Sequence, residues 1–165
     1  INDSGSGSRL PEGENIMKEE RIIRPLKRED LDAVVAIDER AFKRNRRNYF
    51  ERKVADSVDA SRTLNTSIVC EVGGKVVGFI MGQVYTGEFG VPETTATIDT
   101  LGVHPDAQNH GIASELLDQF LGNMKQAGVE KVHTLVNWDE FALEKFLSRH
   151  KFVPSKRINL EYQLP

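Results

Sequence analysis

Two runs rich in β-branched residues, Ser67–Val72 and Lys75–Ile80, are joined by Gly73-Gly74 alone. A two-glycine link accepts the positive φ angles of a tight turn, so the runs are expected to pair as an antiparallel hairpin. That pairing excludes an all-helical fold. The second strand is expected to run on to Tyr85. After a loop holding Gly87, Gly90 and Pro92, Thr95–Val103 reads as a further strand, stopped by His104-Pro105.

Helical and strand patterns surround this meander. Arg21–Leu26 reads as a short strand, and Glu29–Phe42 as a helix with Leu31, Val34, Val35, Ile37 and Phe42 near a 3.6-residue period. Tyr49–Val58 is a weaker helix. From Ile112 to Gln126 the residues Ile112, Leu116, Leu117, Phe120, Leu121 and Met124 give one apolar face, closed by Gly128. Val132–Val136 reads as a strand, Glu140–His150 as a helix and Ile158–Leu164 as a last strand. The order predicts a mixed α/β domain, a meander first and crossover units later.

The chain has 165 residues, 39% of them hydrophobic, enough for one cored domain. Residues 1–16, Gly/Ser-rich and ahead of the first methionine, read as a tag or linker, leaving 17–165 as the domain. Twenty-two basic against twenty-five acidic side chains exclude a globally basic nucleic-acid binder. The one cysteine, Cys70, excludes an internal disulfide and a Cys-rich zinc site. It alternates with Ile68 and Val72 and is expected to be a core thiol. His104, His110, His133 and His150 lack metal-ligand spacing, so no metal is expected. No apolar run approaches the roughly 20 residues of a membrane span, and no signal-peptide pattern opens the chain. A cytoplasmic protein without membrane contact is expected.

The segment that bears on chemistry joins the Thr95–Val103 strand to the following helix: Leu101-Gly102-Val103-His104-Pro105-Asp106-Ala107-Gln108-Asn109-His110-Gly111-Ile112-Ala113-Ser114. Small residues at a helix start let a ligand approach the backbone, where unpaired N–H groups suit phosphate. The same small residues also suit a tight turn needing glycine for geometry alone. Neither the dinucleotide GxGxxG spacing nor the P-loop lysine is present.

Here the chain resembles the GCN5-related N-acetyltransferase (GNAT) superfamily. Gln108-x-x-Gly111-x-Ala113 is similar to its acyl-CoA signature, after the strand end Leu101, Val103, Pro105. Ile23-Arg24-Pro25-Leu26 with Glu29-Asp30-Leu31, Val76-Val77-Gly78-Phe79, and Asn137 followed by Phe146 and Lys151-Phe152 resemble further family motifs in order. The resemblance implies a GNAT fold, with a mixed, mostly antiparallel sheet of six or seven strands flanked by about four helices. It implies acetyl-CoA as co-substrate and an amine acceptor, either a small molecule or a peptide or protein. Its pyrophosphate would lie on the backbone of Gln108, Asn109, His110, Gly111, Ile112, Ala113 and Ser114. Its pantetheine arm would pair with Leu101, Gly102 and Val103, and Asn137 and Phe141 would border the same groove.

Two departures stand out. The pyrophosphate loop carries no Lys or Arg, and Leu147 stands where many relatives place a tyrosine that protonates the leaving thiolate. Asp99 is the candidate general base, with the same facing as Leu101 and Val103 under strict alternation. Tyr85 is a weaker candidate acid. Thr86–Asp106 holds four acids, Glu88, Glu93, Asp99 and Asp106, and no Lys or Arg; it either draws an ammonium group or is a solvated acidic loop. Lys43–Lys53 holds six basic residues against Glu51 and reads as a solvated helix face or a patch for RNA or acidic protein. The expected activity is direct acetyl transfer to a primary amine. The alternatives are a non-catalytic acyl-CoA-binding regulator and, with less support, a module binding RNA or acidic protein through residues 43–53. Nucleic acid is thus the less favoured partner, and a homodimer is compatible with the sequence.

Overall fold

Residues 67–86 form the hairpin that the glycine pair demands, and the computed structural model builds a sheet around it. It describes residues 19–60, 66–87, 90 and 92–165. The N-terminal segment 1–16 and Glu88 lie outside these residues. The sheet has five strands in the order β1–β2–β3–β4–β5. They are β1 (Arg21–Pro25), β2 (Ser67–Val72), β3 (Lys75–Thr86), β4 (Thr94–Val103) and β5 (Lys131–Thr134). The first three pairings are antiparallel; β4 with β5 is parallel. Four helices accompany the sheet: α1 (Leu31–Phe42), α2 (Arg47–Ala60), α3 (Ile112–Gln126) and α4 (Phe141–Arg149). The chain divides into two compact units, one ending at Thr134 and one spanning Leu135–Pro165.

Within the first unit the sheet is covered on both faces. One face meets α1 and α2 through Val34, Val35, Ile37, Phe50, Val54, Val69, Phe79 and Met81, all buried. Phe50 and Phe79 meet edge to face, centroids 5.8 Å apart. On the other face α3 buries Ile112, Leu116, Leu117, Phe120 and Met124, each worth about 1.5–3 kcal/mol relative to exposure. Polar pins fix where α1 starts. Arg24 on β1 donates to Asp30 through both terminal nitrogens, at 2.7 and 2.9 Å, and through Nε to Glu71 of β2 at 2.9 Å. Burial works to raise the Asp30 pKa, but Arg24 and the Lys27 N–H hold it below the usual carboxylate range.

The expected count of six or seven strands is corrected to five among the described residues. The missing one is Ile158–Leu164. Its alternating residues Ile158, Leu160, Tyr162 and Leu164 are all about four-fifths exposed, so the period-2 pattern there has no buried face to serve. No helix among the described residues is long and apolar enough to cross a membrane.

Gly82 shows how tightly α3 seats. A Cβ there would lie 2.2 Å from the Thr97 carbonyl oxygen and 2.8 Å from the Phe120 ring. Gly82→Ala is therefore expected to cost about 1–3 kcal/mol in urea unfolding. Gly122→Ala, with nothing within 4 Å of the new methyl, should instead gain about 0.5–1 kcal/mol.

Candidate active site

The site begins where two strands part. β4 pairs with β5 only from Thr95 to Ile98, and β5 ends at Thr134. Thr134 pins that end, its hydroxyl donating to the Ile98 carbonyl at 3.1 Å. From Asp99 to Val103 the far edge of β4 has no strand beside it among the described residues. Leu101, Gly102 and Val103, read as the pantetheine strand, lie on this open edge. A Cβ on Gly102 would lie 2.7 Å from the Phe79 ring, so this glycine is already required by packing.

The edge runs into the loop. His104 is buried, and Pro105–Ala107 form a 3-10 turn anchored by buried Ala107. Gln108 folds back to donate from Nε2 to the Val103 carbonyl at 3.1 Å. Asn109 and Gly111 adopt φ of +63° and +83°, a left-handed conformation that favours glycine. Gly111 caps α3 without a side-chain hydrogen bond. The first-turn N–H groups of Ile112, Ala113 and Ser114 therefore have no side-chain cap, and a helix start of this kind attracts anions. His110 is half-buried beside them.

Asp99 departs from the alternation expected of it. β3 pairs Met81 with Thr100 and then Gly82 with Ile98, so Asp99 is the extra residue of a β-bulge. The bulge turns its carboxylate away from the face shared by Leu101 and Val103. It reaches Lys53 of α2, which packs on the opposite side of the sheet, and accepts a hydrogen bond from its ammonium. Thr97 donates to the other oxygen at 2.9 Å. The Lys53 ammonium lies 5.9 Å from the centre of the Tyr49 ring. Burial works to lower the Lys53 pKa, but the hydrogen bond and charge of Asp99, with contributions from Tyr49 and Tyr85, leave it raised. Tyr85 is half-buried and donates from its hydroxyl to Gln83 at 2.6 Å.

The charge runs resolve into pairs. Arg46 binds buried Asp38 and lies over the Tyr49 and Phe50 rings at 5.4 and 5.5 Å. Arg47 binds Asp32 and Glu51, and Lys53 binds Asp99. Three of the six cations in 43–53 are thus paired. Of the acids in 86–106, Glu93 pairs with Lys131 at 2.8 Å and Asp99 with Lys53. Cys70 is a buried core residue, its thiol pushed up to about 11 mainly by burial.

Asn137 and Phe141 belong to the second unit. Asn137 is exposed and forms a turn with Glu140, its N–H donating to Oε2 at 3.2 Å and its carbonyl accepting from the Glu140 N–H at 3.0 Å. Phe141 opens α4 and is largely exposed. Leu147 is buried on the same helix. The sequence carries no sign of the Lys53–Asp99 pair or of the bulge. Nothing near residue 53 signals a partner 46 positions away, and a bulge leaves no composition mark in a run of Thr, Ile and Leu.

Comparisons with known proteins agree with this geometry. The model of the acetyltransferase (GNAT) family matches residues 31–152. An acetyltransferase of Pectobacterium atrosepticum, ECA0875, is 32% identical over 125 residues, 73% of this chain and 79% of that protein. Among solved structures, aminoglycoside N-acetyltransferase AAC(6')-Iy in complex with CoA has a TM-score of 0.72 at 11% identity, covering 88% of this chain and 95% of that one. A ribosomal-protein-alanine N-acetyltransferase of Brucella melitensis gives 0.68 at 19% identity, covering 88% and 100%. At those identities the likeness is one of fold. The chain belongs to the acetyltransferase (GNAT) family and is an N-acetyltransferase by that membership.

The strand-to-loop corner has a measurable signature. The His104 Nε2 lies 2.7 Å from Arg40 Nη1, and Nδ1 lies 3.2 Å from the Asp106 N–H. Burial, then the Arg40 charge, lower the His104 pKa. Stability from the neutral ring is full above its unfolded value of about 6.5 and is lost as pH falls through the folded one. In an NMR titration the His104 ring is expected to titrate below about 6.5; a midpoint at or above it would contradict this environment.

Proposed function

We propose that the protein transfers acetyl from acetyl-CoA to a primary amine by direct attack. The observation that carries this is the open β4 edge running straight into the uncapped N-terminus of α3. The amide-bearing pantetheine arm matches a vacant strand edge at Leu101, Gly102 and Val103, as a peptide does in β-augmentation. The pyrophosphate matches the amides from Gln108 to Ser114. Asn137 and Phe141 are proposed to border the adenine or pantetheine side. Bound there, acetyl-CoA supplies a thioester activated towards nucleophiles.

This chain's residues then handle the proton. An amine of pKa about 10.4 is neutral less than about 0.1% of the time at pH 7, and deprotonating it costs about 4.6 kcal/mol; an α-amine costs about 1. Asp99 opens the vacant edge and is proposed to accept that proton before the nitrogen attacks. The C–N bond forms, the C–S bond breaks, the thiolate takes a proton from Tyr85 or solvent, and the second proton lost by nitrogen replaces the one given up there. With Leu147 giving none, a thiolate of pKa about 8.5 still leaves at neutral pH at a cost of about tenfold. Cys70, buried and held as the thiol, is unsuited to a covalent route.

Asp99→Asn is expected to lower thiol release with a reactive amine roughly a hundredfold while acetyl-CoA affinity by calorimetry holds. Unchanged turnover would remove Asp99 from the mechanism. Leu147 favours a second reading, an acyl-CoA-binding regulator; acetyl-CoA binding without thiol release across a panel of amines would establish it. Phosphate binding by amide dipoles, about 0.3–1 kcal/mol each, predicts a shallow salt dependence of acetyl-CoA affinity. A steep loss would mean that Arg40 or other cations hold the phosphates.

A further inference from the structure

The pair of Lys53 and Asp99 joins two elements that have no need of it for packing. α2 is already seated by Phe50 and Val54, both buried. The ion pair, with side chains 20% and 19% exposed, is largely enclosed, and desolvation of the two charges offsets much of their attraction. Yet the pair stands at the residue where β4 leaves β5 and the vacant edge begins. Lys53 takes one carboxylate oxygen and Thr97 the other, so an ammonium group arriving at Asp99 meets another already bound.

We propose that Lys53 is a tethered stand-in for the acceptor: its ammonium holds the place at Asp99 that the acceptor's ammonium takes, and the acceptor binds by exchange with it. This rests on the acetyl-transfer reading, and specifically on Asp99 as its base. The exchange has a physical route. The lysine stem is flexible and its head is strongly hydrated, so the displaced cation can move out to solvent. Lys53, whose backbone is fixed in α2, cannot advance from Asp99 along the edge as a free acceptor does. It competes with the acceptor and does not consume acetyl groups.

The stand-in also describes what it replaces. The place at Asp99 admits the end of an unbranched four-carbon amine, walled by Tyr49. The acceptor class that fits is a primary ammonium on an unbranched alkyl arm, such as a lysine side chain or a polyamine. An α-amine on a branched carbon fits less well. A tethered competitor has an effective concentration on the order of millimolar, so it raises the KM of any acceptor that must displace it.

Kinetics with spermidine, Nα-acetyl-lysine amide and alanine amide test this. In Lys53→Met the KM for spermidine or the lysine derivative should fall at least fivefold, the gain in kcat/KM lying in KM. Lys53→Arg, which restores a cation, should abolish that gain. A raised KM or a depressed kcat in Lys53→Met would overturn the proposal, making Lys53 a support for Asp99. So would acetylation of Lys53 found by mass spectrometry after incubation with acetyl-CoA. A measurement on the unmodified protein is independent of turnover and of variant folding. The 13Cε resonance of Lys53 should shift saturably with n-butylammonium chloride and not with matched sodium chloride. A resonance that ignores n-butylammonium overturns the exchange. If none of the three amines is turned over, the acetyl-transfer reading fails, while the titration still decides whether Lys53 yields its place.

Discussion

The rest of the site depends on one broken ladder. β4 is asked to be a central strand at its start and an edge at its end, and the change happens between Ile98 and Asp99. Parallel pairing with β5 secures the first part, and the Thr134 hydroxyl ties off the last rung. The bulge on the β3 side falls at the same residue. A strand with both neighbours in register would leave its backbone groups satisfied and its faces strictly alternating. By losing one neighbour and slipping against the other, β4 acquires an edge with no strand beside it among the described residues and a carboxylate turned to the α2 face. The open edge and the carboxylate proposed as the base thus come from a single irregularity, with antiparallel pairing to β3 on either side of it.

The parts legible in the sequence were those set by local rules. The Gly73-Gly74 hairpin, the apolar face of α3, the buried setting of Cys70 and the turn at Gly111 all follow from short patterns, and each is present. Longer-range features were not legible. Strict alternation gives Asp99 the facing of Leu101 and Val103 because it assumes no inserted residue, and the bulge inserts one. Ile158–Leu164 alternates as a strand should, but its alternating side chains are about four-fifths exposed and no strand forms there among the described residues. The placement of Leu101–Ser114 at an open edge and helix start agrees with the motif, whereas their contacts with a ligand rest on chemistry the motif implies.

Charge tells a similar story. Sequence shows a basic run and an acidic run, which invites a picture of two opposed patches. In the fold much of each run is spent: Arg46 on Asp38, Arg47 on Asp32 and Glu51, Lys131 on Glu93, and Lys53 on Asp99. The pairs with Asp38 and Asp99 are the more enclosed ones, where a dielectric below that of water strengthens attraction. The basic run is therefore better understood as partly neutralised by its own fold than as a surface for a polyanion, with Lys43, Arg44 and Arg52 left outward.

The burial of Cys70 has a consequence for the redox life of the molecule. A reaction that splits a thioester releases a small thiol at the protein surface on every turnover, and such thiols exchange readily into disulfides once oxidised. The single cysteine of this chain sits at the middle of β2, paired with Ile23 on one side and Gly78 on the other. A mixed disulfide there requires β2 to come out of the sheet. The folded protein is thus built to release thiol without capturing it.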